Sequence, residues 1–391
     1  MTSRTRTFVL AVSVPVMAFA VIGGYLGQAF SRDDTYRHLT VFEDVVSIVL
    51  NNYVEDVDVN KAMRGALQGL SDSLDADSSY LTAAQVKALG PADSAGPAEV
   101  GIELIKQYYL RIVAVRDGSP AARAGLRTGD FIRVIGDKAT RNMTTLEGTR
   151  LLRGAAASKV SLVVIRGNTT DPHVVELVRE KAAGPDFTSK LAAPGIGYVR
   201  VLQFSQGAVS GLKSSIEKLG KAGATRYIVD LRGTARGDLD EGITAARLFV
   251  KSGTLAIKQG KGDQRDTVSA AATDGAITAP LLLLTDNGTS GAAEVFAAAV
   301  SHNQRATRIG ERTLGRAARQ RLVRLPDGSG LWLSYQRYLT PAGEQLHEKG
   351  LTADVAVDIA DPEFGVTPPA GDPVMDKALE RLSEKTEKKA A

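Results

Sequence analysis

Histidine is the side chain best placed to bind a metal or move a proton near neutral pH. The chain has four, His38, His173, His302 and His347, and they lie far apart with no metal-ligand spacing among them. They read as unrelated surface or core side chains, and neither a metal nor a cofactor is expected. Cysteine is absent, which excludes thiol nucleophiles and thiolate metal sites but leaves the redox compartment open. The backbone offers more. In Glu99-Val100-Gly101-Ile102, a glycine between two hydrophobes lets successive N–H groups turn toward one point. Such a turn can cradle a terminal carboxylate while the ligand pairs as an added strand. The pattern gains meaning from DGSPAARAGLRTGDFIRVIGDKA over 117–139, which reads as a short helix, a left-handed glycine and a turn into a strand.

The elements that must position these groups follow from periodicity. Residues 35–90 read as a helical segment, with Val41, Val45, Ile48 and Val49 at three-to-four spacing and a loop at Ser78, Ser79 and Tyr80. GPADSAGPAE over 90–99 reads as a linker. Gly-punctuated, β-branched runs over 98–182 predict strands. Beyond 183, GIGYVRVLQF, RYIVDL and PLLLLTD read as strands. They alternate with the helices AVSGLKSSIEKLGKAG, LDEGITAARLFVKSG (ended by its glycine) and SGAAEVFAAAVSHN. That alternation predicts an α/β core with parallel strands to residue 362. The 363–391 tail is charged and reads as a solvated helix end.

The chain has 391 residues, enough for two or three domains at roughly 100–200 residues each. Its hydrophobic content of 43 % argues against global disorder. The net charge of +4 is spread along the chain in short runs, so no nucleic-acid partner is expected. Arg4 and Arg6 precede an apolar run from Phe8 to Phe30, followed by Asp33 and Asp34. A run of this length can span roughly 30 Å of hydrocarbon, and the charge order favours a cytoplasmic N-terminus. Residues 1–34 therefore read as a signal anchor, with a cleaved signal peptide as the alternative. Both readings put the body of the protein outside the cytoplasm, on the periplasmic side of a membrane.

Residues 98–182 resemble a PDZ domain. In that resemblance Val100, Gly101, Ile102 and Leu104 line the site for a ligand's last residue, and the helix with Leu151 and Leu152 closes its other side. The chain from 36 to 360 resembles the carboxyl-terminal processing peptidases, the tail-specific serine proteases of family S41. The resemblance rests on NNYVEDVD, SLDADSSYL, GYVRVLQF, IVDLRGTARGDLDEG, AAEVFAAAVSHNQRATRIGERTLGRAARQ, LPDGSG and RYLTPAGEQLHEKGLTADV, in that order. It implies an α/β peptidase core with an inserted PDZ domain, acting on the C-terminal tails of proteins.

Those enzymes use a serine nucleophile and a lysine base. The resemblance places the nucleophile three residues before Glu294, which here is Gly291, and the lysine in a turn that here reads Gly315-Arg316-Ala317. Glycine has no side chain to attack with, and arginine stays protonated near neutral pH. The family's glutamine is kept as Gln320, while an aspartate found in some members is replaced by His302. The paired glycines of the oxyanion turn read Arg236-Gly237. Three parts of one mechanism are thus altered, which implies a pseudoprotease that binds tails as an adaptor or as the regulator of an active protease relative. The alternative is a serine endopeptidase with Ser290 as a displaced nucleophile. The plainer roles are a helix N-cap for Ser290, with Thr289 as rival, and a carboxylate-paired or surface arginine for Arg316. A structural assembly protein with an idle PDZ domain is the third reading.

Overall fold

The computed structural model describes residues 37–89, 95–167, 171–182, 184–262, 264–359, 363–366 and 370–390. The apolar run Phe8–Phe30, and with it the expected anchor or signal, lies outside them. Among the described residues no helix is long and apolar enough to cross a membrane.

The chain divides into two units at Leu67/Gln68. In the first, residues 37–52 form the expected helix, but its apolar positions Val41, Val45, Ile48 and Val49 are exposed rather than buried. Helix Val59–Asp72 runs across the division. The second unit is larger than the helical segment and domain boundaries read from sequence imply, because residues 68–89 belong to it. Ser79–Leu81, expected as loop, is a fully buried strand paired antiparallel with Gly330–Leu339. Helix Ala83–Ala88 follows, capped by Thr82 and Gln85 in a reciprocal capping box.

The architecture is α/β. Strands Ile196–Val201, Arg226–Asp230, Leu281–Thr285, Ala306–Gly310 and Val355–Ala356 are parallel neighbours, with Phe187–Ala193 antiparallel at one edge. Leu281–Thr285 is buried throughout, as a central parallel strand covered on both faces should be. One face packs under the helices Ala208–Lys221, Leu239–Ala246 and Ala292–His302. Helix Leu239–Ala246 ends short of Gly253, through turns rather than at the glycine. The other face packs under helix Pro373–Ala390. The tail expected as solvated therefore corrects to a packing element: Val374, Ala378 and Leu382 recur along one face and are buried, so charge content alone concealed an amphipathic stripe.

A second sheet joins Ser79–Leu81, Gly330–Leu339, Thr254–Gln259 and Arg265–Ser269, with Ala318–Arg324 paired to Gly330–Leu339. The 98–182 module has its own sheet, in the order Ile102–Gln107, Tyr109–Val115, Phe131–Ile135, Lys159–Ile165, His173–Val178, over its own apolar core. Where a linker was expected, Ala98–Glu99 is a strand that pairs with Glu180–Lys181. The module's entry and exit strands are thereby held side by side.

Candidate active site

The central strand Leu281–Thr285 delivers the chain to a sharp turn, Asp286 to Gly291, before helix Ala292–His302. The turn is tied internally: Asp286 accepts hydrogen bonds from the N–H groups of Gly233 and Gly288 and from the Thr289 hydroxyl. Gly291 sits at φ 63°, ψ −122°, a conformation that side-chain-bearing residues adopt only under strain. Strained strand-to-helix turns of this kind present elbow nucleophiles. The space a nucleophile needs is also present. A Cβ on Gly291 would meet nothing closer than the carbonyl oxygens of Ala235 and Arg316, both at 3.8 Å. The backbone at Gly291 thus approaches that of Ala235 and of Arg316, near the positions that the resemblance assigns to nucleophile, oxyanion turn and base.

Glu294 holds the Gly291 and Arg316 backbones together. It is fully buried and accepts from the N–H of Gly291 at 3.1 Å, the N–H of Arg316 at 2.7 Å, the N–H of Gly315 at 2.5 Å and the hydroxyl of Thr313 at 2.5 Å. Burial pushes its carboxyl up to about 7, the four donors offsetting only part of that cost.

Arg316 is half-buried and paired with a carboxylate. Its Nε donates to both carboxylate oxygens of Asp77, at 2.8 and 3.0 Å, and its Nη2 lies 2.6 Å from Asp77. Asp77 is only 6 % exposed. The Nη1 of Arg316 donates to the carbonyl of Leu104, at 3.2 Å, on the edge strand of the inserted module. Burial works against the guanidinium charge, and Asp77 more than offsets it, so the group is held above its already high ordinary value. It cannot serve as a base.

Arg236 makes a second bridge from the core to the module. It grips Glu99 bidentately, at 2.8 and 2.7 Å, and also donates to Glu103. Arg116 donates to the same Glu99. Burial raises the Glu99 carboxyl, but Arg236 and Arg116 outweigh it and hold it below its usual range. Among the described residues nothing accepts from the backbone N–H of Ala235 or of Arg236, so the oxyanion turn keeps unpaired donors beside the new side chain. Gly237, at φ 131°, cannot take a Cβ, which would stand 2.3 Å from the carbonyl oxygen of Phe204. A cavity of about 670 Å³ joins Gly291, Arg316, Gln320, Arg236, Gly237 and Tyr335. The catalytic-position residues named from the sequence therefore share one site.

Ser290 does not behave as a cap. Gly291 occupies the N-cap position, and Glu294 serves its N–H. The Thr289 hydroxyl lies between the Leu231 carbonyl at 2.9 Å and Asp286 at 3.0 Å, turned to these acceptors and not to the helix. The Ser290 hydroxyl is buried, and among the described residues it has no hydrogen-bond partner and no base aligned with it. The Nδ1 of His302 lies 3.1 Å from the Ala298 carbonyl, within its own helix. Gln320 donates to Ala318 and Ser334.

The groove residues sit differently from the expectation. Val100, Ile102, Leu104 and Leu152 lie inside the module's own core, with Leu151 packed against it. A small cavity of about 40 Å³ lies where Asp77 and Arg316 meet Lys106, Thr144 and Leu146 of the module. Gln85 donates to Glu147 of that helix at 2.9 Å. Gly101 is required by a close approach, since a Cβ there would stand 2.3 Å from the Ser119 Cβ. Sequence reasoning missed Asp77, Glu99 and Glu103 as partners of the two arginines. Asp77 is separated from Arg316 by 239 positions, and no local pattern announces such a pair.

Comparison with known proteins agrees with this geometry. Residues 195–357 match the model of peptidase family S41, and residues 111–166 match a PDZ domain. The carboxy-terminal processing protease CtpA of Bacillus subtilis (strain 168) is 30 % identical over 92 % of this chain and 79 % of its own. The carboxy-terminal-processing protease of Bartonella bacilliformis is 29 % identical over 90 % and 81 %. Among solved structures, the photosystem II D1 C-terminal processing protease superposes with a TM-score of 0.68 at 28 % identity, covering 81 % of this chain and 86 % of that one. The inserted PDZ domain and these matches place the chain in the carboxy-terminal processing protease family of S41 peptidases.

Proposed function

We propose that this member of the family binds the unstructured C-terminal tails of other polypeptides without cutting them, as an adaptor or as a regulator of an active relative. One observation carries the reading. The nucleophile turn keeps its backbone shape and its room, yet it bears glycine, while the base position bears an arginine neutralised by Asp77. Peptide hydrolysis through a serine needs both a hydroxyl and a base to take its proton, and this site offers neither in place. What remains is a cavity of about 670 Å³ with unpaired backbone donors and the glycine turn of the PDZ module. These are features that hold a chain. The relatives are named as C-terminal processing proteases, which motivates protein tails as the ligand. The apolar run Phe8–Phe30 motivates a position on the extracytoplasmic side of a membrane.

The test is a pair of synthetic peptides with apolar C-termini, one ending in a free carboxylate and one in an amide. The reading expects the free acid to bind, the amide to bind at least roughly tenfold more weakly, and both to be recovered intact by mass spectrometry. Equal affinities would reject the carboxylate cradle, and cleavage products would reject the silent site.

A further inference from the structure

A second surface lies away from the family's site, on the outward face of the PDZ sheet. Leu110, Ile112 and Ile132 point inward and are buried, so the alternate residues Tyr109, Arg111, Phe131 and Arg133 share the other face. Arg133 stacks over Tyr109, with its guanidinium 5.6 Å from the ring centroid. At the hairpin tip Arg141 lies over Tyr108 at 4.8 Å. Tyr108 is 58 % exposed and is held at φ 63°, a left-handed conformation that costs energy in a bulky residue. The chain tolerates strain there to present an aromatic ring to solvent.

The face leads into a cleft of about 1050 Å³ between the module and the core, lined by Arg111, Arg127 and, across from them, Lys190. Among the described residues, Arg111, Arg127, Arg133, Arg141 and Lys190 form no ion pair. Burial without a compensating carboxylate holds Arg111 below its ordinary value. The acids that line the cleft are engaged already: Asp117 with Arg200, Asp230 with Arg232, Asp286 with the N–H groups of Gly233 and Gly288, and Glu311 likewise has a partner. Cations without counter-charges beside half-buried rings complement an extended ligand that carries carboxylates.

We infer that this arginine–tyrosine strip and its cleft bind an acidic segment of an extended polypeptide. The inference builds on the reading of the chain as a holder of polypeptides, but it places the contact on side chains and internal acids rather than on a terminal carboxylate. The experiment keeps the two apart by using only C-terminal amides. A short fluorescein-labelled peptide with glutamate at alternate positions is titrated with the full chain, beside its glutamine counterpart, at low and high salt. Fluorescence anisotropy should show binding of the glutamate peptide that weakens with salt, and roughly tenfold or greater loss with glutamine. Arg111→Gln and Arg133→Gln should each weaken it roughly fivefold. Tyr108→Gly relieves the backbone strain, so it should weaken binding without lowering the thermal midpoint. Equal binding of the two peptides, or unchanged affinity in all three variants, overturns the inference. So does arginine-dependent co-sedimentation with phosphatidylglycerol–phosphatidylcholine vesicles in the absence of peptide binding, which would reassign the strip to a lipid surface.

Discussion

Glycine at position 291 relaxes a turn that any side chain would strain. Its φ of 63° persists because Glu294, Thr313 and the Arg316 backbone define the turn from all sides. Gly291→Ser should therefore cost about 1–3 kcal/mol of stability, although a Cβ meets no atom within 3.8 Å. Urea unfolding measures this, and an unchanged midpoint would show that the turn is not strained. Glu294 makes a second prediction. Burial raises its pKa from the ordinary 4.5 to about 7, so the folded state retains a proton that the unfolded chain releases. The stability it contributes is fully present below about 4.5 and is lost as pH rises through about 7, by up to about 3 kcal/mol. Glu294→Gln should be less stable at every pH, because an amide nitrogen cannot accept from the N–H groups now served. It should also lack that slope between pH 4.5 and 7, as urea midpoints across the range will show.

Two elements of the core reach the inserted module through arginines at altered mechanistic positions. From the sequence, Arg236 reads only as a loss, and Arg316 as a loss that leaves a carboxylate-paired or surface arginine. In three dimensions each is a cross-link, to Glu99 and Glu103 and to Asp77 and the Leu104 carbonyl. Removing Arg316 leaves the buried Asp77 uncompensated, so Arg316→Ala should destabilise by about 3 kcal/mol, and Asp77→Asn in the same chain should restore part of it. A simple sum of the two losses would deny the coupling. The strands, helices and PDZ insertion were legible because β-branched runs, apolar periodicity and glycine turns are local signals. The three altered positions were legible because they lie on motifs of fixed order. The cross-links were not, since Asp77 and Arg316 stand 239 positions apart and nothing in either segment specifies the other. Charge content likewise concealed the buried stripe of Val374, Ala378 and Leu382, which recurs at every fourth residue within a polar helix.

Taken as a whole, the second unit has the fold of the S41 carboxy-terminal processing proteases, and Arg236 and Arg316 fasten the PDZ module to its core. The Leu104 carbonyl of the module's edge strand Ile102–Gln107 accepts a hydrogen bond from Arg316. Its groove helix is tied to Gln85. A peptide strand added at that edge would have to compete with these contacts inside the chain. Whether the chain carries an activated serine can be measured directly, with a reagent that needs no substrate. A fluorophosphonate probe reacts with an activated serine and leaves a covalent adduct that peptide mass spectrometry can locate. The wild-type chain is predicted to remain unlabelled at Ser290 and at every other serine under conditions that label an active relative. An adduct on Ser290 would contradict the account.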